Sequence, residues 1–307
     1  MKTMATWRAG VATDAGKQRS QNEDRVFADE SRGIFLVIDG MGGHAAGEIA
    51  AETALDAVRA GLSRLDAEAS VEDQVRQAIT GANNAVRRLS EQHEAYDGMA
   101  CVLTLAIAHS DRVTVGHVGD SRLYLAWNGE LRKLTSDHSP VGEQEDNGEI
   151  SEEEAMHHPR RNEVYRDVGS EWHTAGDTDF IETKTLLFRT DAALLLCSDG
   201  LSDALTSAQI SAIVERYDGD PNKVASQLVE AANRAGGKDN ISVIFVPGPE
   251  FIGSHAASIA AARQRHAVTR IRPKTRRWRS ILRSVILLLM GMFLGIVLWL
   301  ALQRFWR

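Results

Sequence analysis

The sequence predicts an α+β fold in which mainly antiparallel sheets are covered by helices, followed by one C-terminal transmembrane helix. Two observations predict the folded part: short apolar runs punctuated by Gly, Asp and Asn, and longer segments with helical spacing. An uncharged apolar run near the C-terminus predicts the membrane span. The 307 residues are 43% hydrophobic and 25% charged, which is typical of a folded chain.

Six apolar runs have the length of buried strands: 34–38, 102–108, 113–118, 123–127, 194–197 and 241–246. Four longer segments have the spacing of amphipathic helices: 45–62, 71–94, 207–216 and 221–235. The second and third runs are joined over Ser110 and Asp111, as in a hairpin, which favours antiparallel pairing.

Charge is distributed unevenly along the chain. Residues 251–307 contain 11 of the 35 Lys and Arg residues and none of the 42 acids, which leaves residues 1–250 with a formal net charge of -18. Such an acidic body repels phosphate backbones unless a metal ion or a local basic patch intervenes. We therefore expect no nucleic-acid partner.

The two cysteines, Cys101 and Cys197, each stand inside an apolar run, which is typical of small buried residues. They form no Cys-x-x-Cys pair or Cys/His cluster, so neither a disulfide framework nor a zinc site is predicted. The N-terminus has no apolar secretory signal. These features favour a reducing compartment.

Residues 285–302 form an uncharged run that predicts a transmembrane helix rather than the alternative, a buried core helix. The run covers about 27 Å of a hydrocarbon core of about 30 Å. Nine Lys and Arg residues at 263–283 precede it and two follow it, so we expect a single-pass protein of the cytoplasmic (inner) membrane with its N-terminal domain in the cytoplasm. The basic stretch favours anionic lipid. Gly291 and Gly295 have a G-x-x-x-G spacing that either supports dimerisation or has no consequence, so the oligomeric state stays open.

A boundary near residue 248 follows from Pro247-Gly248-Pro249, because proline continues neither a helix nor a central strand. We expect a catalytic domain at 1–247, a basic juxtamembrane linker at 248–280, the transmembrane helix at 281–303 and a short tail at 304–307.

Acidic side chains stand where apolar strands end or begin. Asp39, Asp120 and Asp199 follow strands, Asp239 precedes one, and Glu23-Asp24 lies near the start of the chain. Any single Asp-Gly pair is more often a turn, but an ionised Asp beside a buried strand is costly unless it is paired or bound to metal. Together the acids predict one shared site for a hard cation such as Mg²⁺, Mn²⁺ or Ca²⁺.

Six blocks in this order resemble the metal-dependent serine/threonine protein phosphatases of type 2C, in their bacterial form. The resemblance spans roughly residues 8–247. The blocks are Asp14-Ala15-Gly16 with Arg19-Ser20-Gln21-Asn22-Glu23-Asp24, Asp39-Gly40-Met41-Gly42-Gly43-His44, Gly119-Asp120-Ser121-Arg122, Leu134-Thr135-Ser136-Asp137-His138-Ser139, Ser198-Asp199-Gly200-Leu201 and Asp239-Asn240-Ile241-Ser242.

The resemblance implies a four-layer α-β-β-α sandwich with two central antiparallel sheets and a metal centre in a cleft at one edge. It implies that Asp39 bridges two Mn²⁺ or Mg²⁺ ions. Glu23 and the Gly40 carbonyl would hold one ion, and Asp199 and Asp239 the other. Asp120 and Asp203 match positions for a third, weaker ion. Arg19 matches the arginine that binds the substrate phosphate; the alternative is a surface ion pair with Glu23 or Asp24.

Two departures from the family pattern affect these expectations. Met41 stands where some members have a histidine that is a candidate general acid, so that role is not carried over. His44 could serve instead, or it could simply begin a helix. Gly98-Met99-Ala100-Cys101 replaces a small-hydroxyl motif, which we interpret as a packing difference.

Residues at about 140–176 resemble the flap subdomain of bacterial relatives, which would shape substrate choice. His157 and His158, in this segment, are interpreted as a solvated helix end rather than as metal ligands.

The favoured function is hydrolysis of phosphoserine and phosphothreonine by a metal-activated water, opposing a serine/threonine kinase at the same membrane. Phosphorylated proteins are the expected partners. The alternatives are a catalytically weak phosphoprotein-binding or sensor module, and a phosphatase for small phosphate esters.

Overall fold

Two five-stranded antiparallel sheets make up the centre of the protein in the computed structural model, which describes residues 7–42, 46–66 and 68–254. The first sheet contains, in spatial order, β1 (Gly10–Asp14), β10 (Ile241–Pro247), β9 (Ala193–Cys197), β6 (Arg122–Trp127) and β7 (Glu130–Lys133). The second contains β2 (Arg25–Asp29), β3 (Ile34–Met41), β4 (Ala100–His109), β5 (Arg112–Val118) and β8 (Glu182–Leu187).

The helices lie on the outer faces of the sheets or in the segment between β7 and β8. They are α1 (Ala46–Gly61), α2 (Val71–Gln92), α3 (Pro140–Asp146), α4 (Glu152–Met156), α5 (Asp199–Ser202), α6 (Ser207–Val214) and α7 (Pro221–Arg234), with a 3-10 turn at Glu94–Tyr96. Ser151 caps α4 and Thr206 caps α6, each in a capping box with the residue three positions on.

The alternation of side chains along the central strands produces three apolar layers. In β3, Leu36 and Ile38 pack against α1 and α2, whereas Phe35 and Val37 point into the space between the sheets. In β10, Val243 and Phe245 belong to the layer under α5–α7. Because successive residues of a strand face opposite sides, continuous apolar runs let each sheet bury both faces. The observed arrangement is the expected four-layer α-β-β-α sandwich.

The six predicted strands and four predicted helices are all present. The structure adds four strands that we did not predict: β1, β2, β7 and β8. None of these has a continuous buried apolar run; β2 is half-buried throughout and β8 reads E-T-K-T-L-L. All four stand at sheet edges, where one side of the strand is unpaired and polar residues are tolerated.

The predicted transmembrane helix and most of the predicted linker before it lie outside the residues that the structure describes. Within the described residues, no helix is both long enough and apolar enough to cross a membrane. The predicted span at 281–303 and the linker from residue 255 onward lie outside them. Phe251, after β10, still packs in the core against Tyr217 and Phe245. Cys101 and Cys197 are free and buried, as expected.

Candidate metal centre

The acids predicted at strand ends come together at one place. Asp39 lies near the end of β3, Asp120 follows β5, Asp199 begins α5 after β9, and Asp239 precedes β10. Burial raises the pKa of Asp39 well above its usual range, and repulsion from Asp24, Asp199, Asp120 and Asp239 adds to the effect. Carboxylates affect one another in this way only when they are close in space.

Asp24, one of the acids expected at the shared site, also belongs to this group, although the family resemblance implies no ligand role for it. It is 3% exposed, and its Oδ2 accepts a hydrogen bond of 2.8 Å from Ser198 Oγ. Its Oδ1 is buried without a hydrogen-bond partner in the described part of the chain. Burial raises the pKa of Asp24 to about 6. The contact joins residues 174 positions apart, so only the fold reveals it.

Glu23 and the Gly40 carbonyl lie together beside the first turn of α1. A Cβ atom on Gly47 would stand 2.8 Å from both Glu23 Oε2 and the Gly40 oxygen. The side chain of Asn240 fixes the loop that carries Glu23: its Oδ1 accepts from Glu23 N at 2.8 Å, and its Nδ2 donates to the Gln21 carbonyl at 2.8 Å. The two predicted ligand oxygens therefore share a space that only a glycine at position 47 leaves open.

Arg161 pairs with the two acids predicted for the third ion. Its guanidinium lies 3.1 Å from Asp120 Oδ2 and 2.5 Å from Asp203 Oδ1. Burial nevertheless raises the pKa of Asp120 to about 7 and that of Asp203 to about 6. We did not predict this role for Arg161, which the sequence places in the flap segment, 41 residues from Asp120.

Arg19 is half-exposed and forms an ion pair of 2.7 Å with Asp239. The alternative role for Arg19 was a surface ion pair with Glu23 or Asp24. Its partner in the structure is Asp239, so the predicted partner was wrong. The side chain lies beside the acidic cluster, where a phosphate held at that cluster would be within its reach.

The acidic cluster fits hard divalent cations. Its donors are all oxygen atoms, and Asp24 Oδ1 and Asp199 Oδ1 are buried without hydrogen-bond partners in the described residues. Burial, followed by repulsion from Asp203, raises the pKa of Asp199 to about 7. Several carboxylates at such close range are unfavourable unless they are protonated or share a cation, and oxygen-only donor sets suit Mg²⁺ and Mn²⁺.

A second group of possible ligands, His117, His138 and Glu182, has ligand atoms within 4.8 Å of one another. The lone pair of each neutral ring is already used: His117 Nδ1 accepts from Thr104 Oγ1 while its Nε2 donates to the Ser136 carbonyl, and His138 Nδ1 accepts from the Gly119 amide. Burial lowers the pKa of His117 to about 4 and that of His138 to about 3. A structural role accounts for this group, and the acidic cluster is the better cation site.

Other predicted residues have simpler surroundings. Met41 ends β3 and pairs with Ala100, and Met99 is fully buried, consistent with packing. His157 follows α4, where its Nδ1 donates to the Glu153 carbonyl, which fits a helix end. His44 lies outside the described residues.

A four-layer sandwich with an oxygen-only cation site at the sheet edge defines the class of metal-dependent phosphatases that the motifs resemble. The family model described as Protein phosphatase 2C matches residues 13–233, and the chain belongs to this family. It is a metal-dependent protein serine/threonine phosphatase that uses Mn²⁺ or Mg²⁺.

Curated relatives and solved structures agree with this assignment. The serine/threonine phosphatase stp of Listeria welshimeri is 39% identical over 245 residues, which cover 78% of this chain and 94% of the relative. Protein phosphatase PhpP of Streptococcus pneumoniae is 34% identical, covering 77% and 95%.

Among solved structures, the Mycobacterium tuberculosis phosphatase PstP/Ppp has a TM-score of 0.70 and 32% identity, covering 78% of this chain and 98% of that one. The PstP catalytic domain in complex with two manganese ions has a TM-score of 0.68 and 30% identity, covering 78% and 97%.

Proposed function

We propose that this phosphatase removes phosphoryl groups from proteins modified by a serine/threonine kinase, at the cytoplasmic face of a membrane. The convergence of Asp39, Asp199 and Asp239 beside Arg19 is the observation that carries the catalytic part. The apolar run at 285–302 and the preceding basic residues support the location. Tethering enzyme and target to one surface raises their effective concentration.

Each acid has a distinct proposed role. Asp39 would hold two cations, together with Glu23 and the Gly40 carbonyl for one and Asp199 and Asp239 for the other. Asp120 and Asp203 serve a third, weaker position. Bound there, a pair of divalent ions supplies a nucleophile from water near neutral pH and offsets the negative charge of the phosphate.

Arg19 orients the phosphate in this proposal. A guanidinium offers two parallel N–H donors to phosphate oxygens, a geometry that lysine lacks. In the structure one of these donors, Nη2, bonds to Asp239 Oδ2 at 2.7 Å. Arg19 must therefore exchange this carboxylate for the substrate phosphate, and that exchange is easiest when Asp239 is committed to a cation.

The catalytic assignment is tested by hydrolysis of p-nitrophenyl phosphate and of a phosphothreonine peptide with Mn²⁺, Mg²⁺ or EDTA. We expect turnover only with metal, and its loss in Asp39→Asn and Asp199→Asn. Asp191→Asn is the matched control, because Asp191 pairs with Arg189 on the surface. A folded wild-type chain that is inactive with either metal would favour the alternative, a phosphoprotein-binding module.

The location is tested by membrane fractionation of the 307-residue chain beside a chain ending at residue 254. We expect the longer chain to stay in the membrane fraction after alkaline carbonate washing and the shorter one to be released. Release of both would remove the membrane from the proposal while leaving the catalytic assignment intact.

A further inference from the structure

A cleft of about 560 Å³ adjoins the acidic cluster on the side of the flap segment. Its wall includes Arg19, Lys238 and Asp239 on one part of the chain and the turn at 156–163 on another. We call it the basic cleft. A phosphoprotein that places its phosphate beside Arg19 would extend neighbouring residues into this space.

The acids that line the basic cleft are already neutralised. Glu163 pairs with Arg160 at 2.7 Å, Asp203 with Arg161 at 2.5 Å, and Asp239 with Arg19 at 2.7 Å. Lys238 also lines the cleft; it is exposed and forms no ion pair with residues in the described ranges. Among the residues that line the cleft, four Lys and Arg side chains stand against three carboxylates, and Lys238 supplies the excess positive charge. The first 250 residues of the chain, by contrast, have a net charge of -18.

The backbone that carries Lys238 is tied to the backbone that carries Arg19. Gly236 and Gly237 have φ values of 140° and 53°, which bend the chain just before Lys238. The Gly237 carbonyl accepts hydrogen bonds from Lys17 N at 2.7 Å and Gln18 N at 3.2 Å. These bonds join the backbone of the loop of Lys238 to that of the loop of Arg19, so the two side chains start from neighbouring points at one end of the cleft.

The opposite part of the wall adds a second donor. His158 Nδ1 accepts a hydrogen bond from the Arg160 amide at 3.2 Å. The proton of a neutral His158 ring must then be on Nε2, which has no hydrogen-bond partner among the described residues and can donate to an anion. A cation and an N–H donor thus line one space beside the phosphate-binding arginine.

We propose that the basic cleft is a subsite for a second anionic group of the substrate, a carboxylate or phosphate close in sequence to the scissile phosphoresidue. Lys238 is the main residue that binds this anionic group, and His158 is the second. The inference rests on the proposed phosphatase function and names a substrate class for it: phosphopeptides with acidic flanks. Charge complementarity selects such a segment at this cleft, whereas the acidic surface elsewhere repels it.

The test compares phosphothreonine peptides that differ only in their flanking residues: Ala, Asp, Lys, or a non-hydrolysable phosphonate. The full chain with Mn²⁺ is expected to give a kcat/KM about three- to fivefold higher for the Asp peptide than for the Ala peptide at low salt. The Lys peptide is expected to be poorest. Comparison of Asp with phosphonate shows which anion the cleft prefers.

The variants are judged by the ratio of kcat/KM between the Asp and Ala peptides, so a general loss of activity near Asp239 cancels. Lys238→Gln is expected to bring the ratio to about one, and His158→Gln to reduce it partly. Lys223→Gln is the matched control: it removes the same charge from α7, where Lys223 pairs with Asp218. An equal ratio in wild type, Lys238→Gln and Lys223→Gln would overturn the proposal.

Binding without turnover separates this inference from the proposed function. Fluorescence anisotropy with Mn²⁺, using labelled peptides that carry a non-hydrolysable phosphonate in place of the phosphothreonine, is expected to show tighter binding of the peptide with Asp flanks, lost in Lys238→Gln. If the chain hydrolysed no phosphate ester but kept this preference, the proposed function would fail and the anion subsite would stand. Active enzyme with equal binding and equal kcat/KM for the Asp and Ala peptides would remove the subsite alone.

Discussion

Gly47 is the residue on which the space around Glu23 and Gly40 depends. A methyl group there would stand 2.8 Å from two oxygens that we assign to one cation. We expect Gly47→Ala to weaken Mn²⁺ binding and lower kcat/KM by about 10- to 100-fold, because displaced ligands cost affinity on this scale. Calorimetric titration with Mn²⁺ and p-nitrophenyl phosphate kinetics would measure the two effects.

Gly81→Ala is the control for this substitution. Gly81 is exposed within α2, and a Cβ there would meet nothing within 4 Å. Removing a helix-interior glycine is expected to stabilise the fold by about 0.5–1 kcal/mol without affecting Mn²⁺ affinity. Unchanged Mn²⁺ affinity in Gly47→Ala would show that Glu23 and the Gly40 carbonyl do not share a cation.

Arg161 pairs with both Asp120 and Asp203, the two acids that we propose for a third cation. Its replacement by Met leaves two buried carboxylates without a counter-charge, which is expected to destabilise the metal-free protein by about 3–5 kcal/mol. A divalent ion can replace the lost charge, so Mn²⁺ should raise Tm more in Arg161→Met than in wild type. Thermal unfolding with EDTA and with Mn²⁺ tests this.

The neighbouring Arg160→Met is the control, because Arg160 pairs with Glu163 on the surface. Its Mn²⁺-induced change in Tm should equal that of wild type. An Arg161→Met variant with the wild-type response would mean that Arg161 and a third ion do not compete for these acids.

At the scale of elements, α4 is attached to α6 through one side chain. Glu152 Oε1 accepts from Ser207 N at 2.6 Å and from Ser207 Oγ at 2.7 Å, at the first turn of α6. Glu152→Ala should release this end of the flap segment and cost about 1 kcal/mol. Faster hydrogen–deuterium exchange across 140–176 is the expected result, with Glu153→Ala, an exposed change on the same helix, as the control.

The elements that could be predicted from the sequence are those with a strong local pattern. The strand at 34–38 is an unbroken apolar run, and the helix at 221–235 has a clear amphipathic spacing, so both were found. Strand β7 was missed although Asn128-Gly129, both at positive φ, forms the turn before it. Asn-Gly is a strong hairpin signal that the short, polar β7 obscured.

The residues of the site also differ in whether a local sequence pattern predicts them. Asp39, Asp120 and Asp199 could be predicted because each stands at the end of a buried apolar run or just after it. The roles of Asp24, Gly47 and Arg161 could not, because each depends on contacts between segments distant in sequence. No local pattern reports that Gly47 approaches Gly40, or that the flap segment supplies a partner for Asp120.

At the scale of the whole molecule, the buried acids and histidines make stability depend on pH in opposite directions. Burial raises the pKa of Asp199 and Asp120 to about 7, against 3.8 for free Asp, so the folded chain keeps protons that the unfolded chain has released. The contribution of these acids to the free energy of unfolding therefore falls as pH rises from about 4 to 7. Burial lowers the pKa of His117 to about 4 and that of His138 to about 3, which costs stability only below about 6.5.

Above pH 6.5 the histidines no longer bind protons in either state, and only the buried acids still affect stability. The free energy of unfolding is therefore expected to fall as pH rises. Between pH 6.5 and 8 in EDTA, we expect the protein to lose about 1 kcal/mol, or about 2–4 °C in Tm. With saturating Mn²⁺ the slope should reverse, because cations bind the deprotonated acids and compete with their protons. Thermal unfolding across this pH range, with and without Mn²⁺, measures both slopes. Parallel slopes would mean that the acidic cluster does not bind the cation.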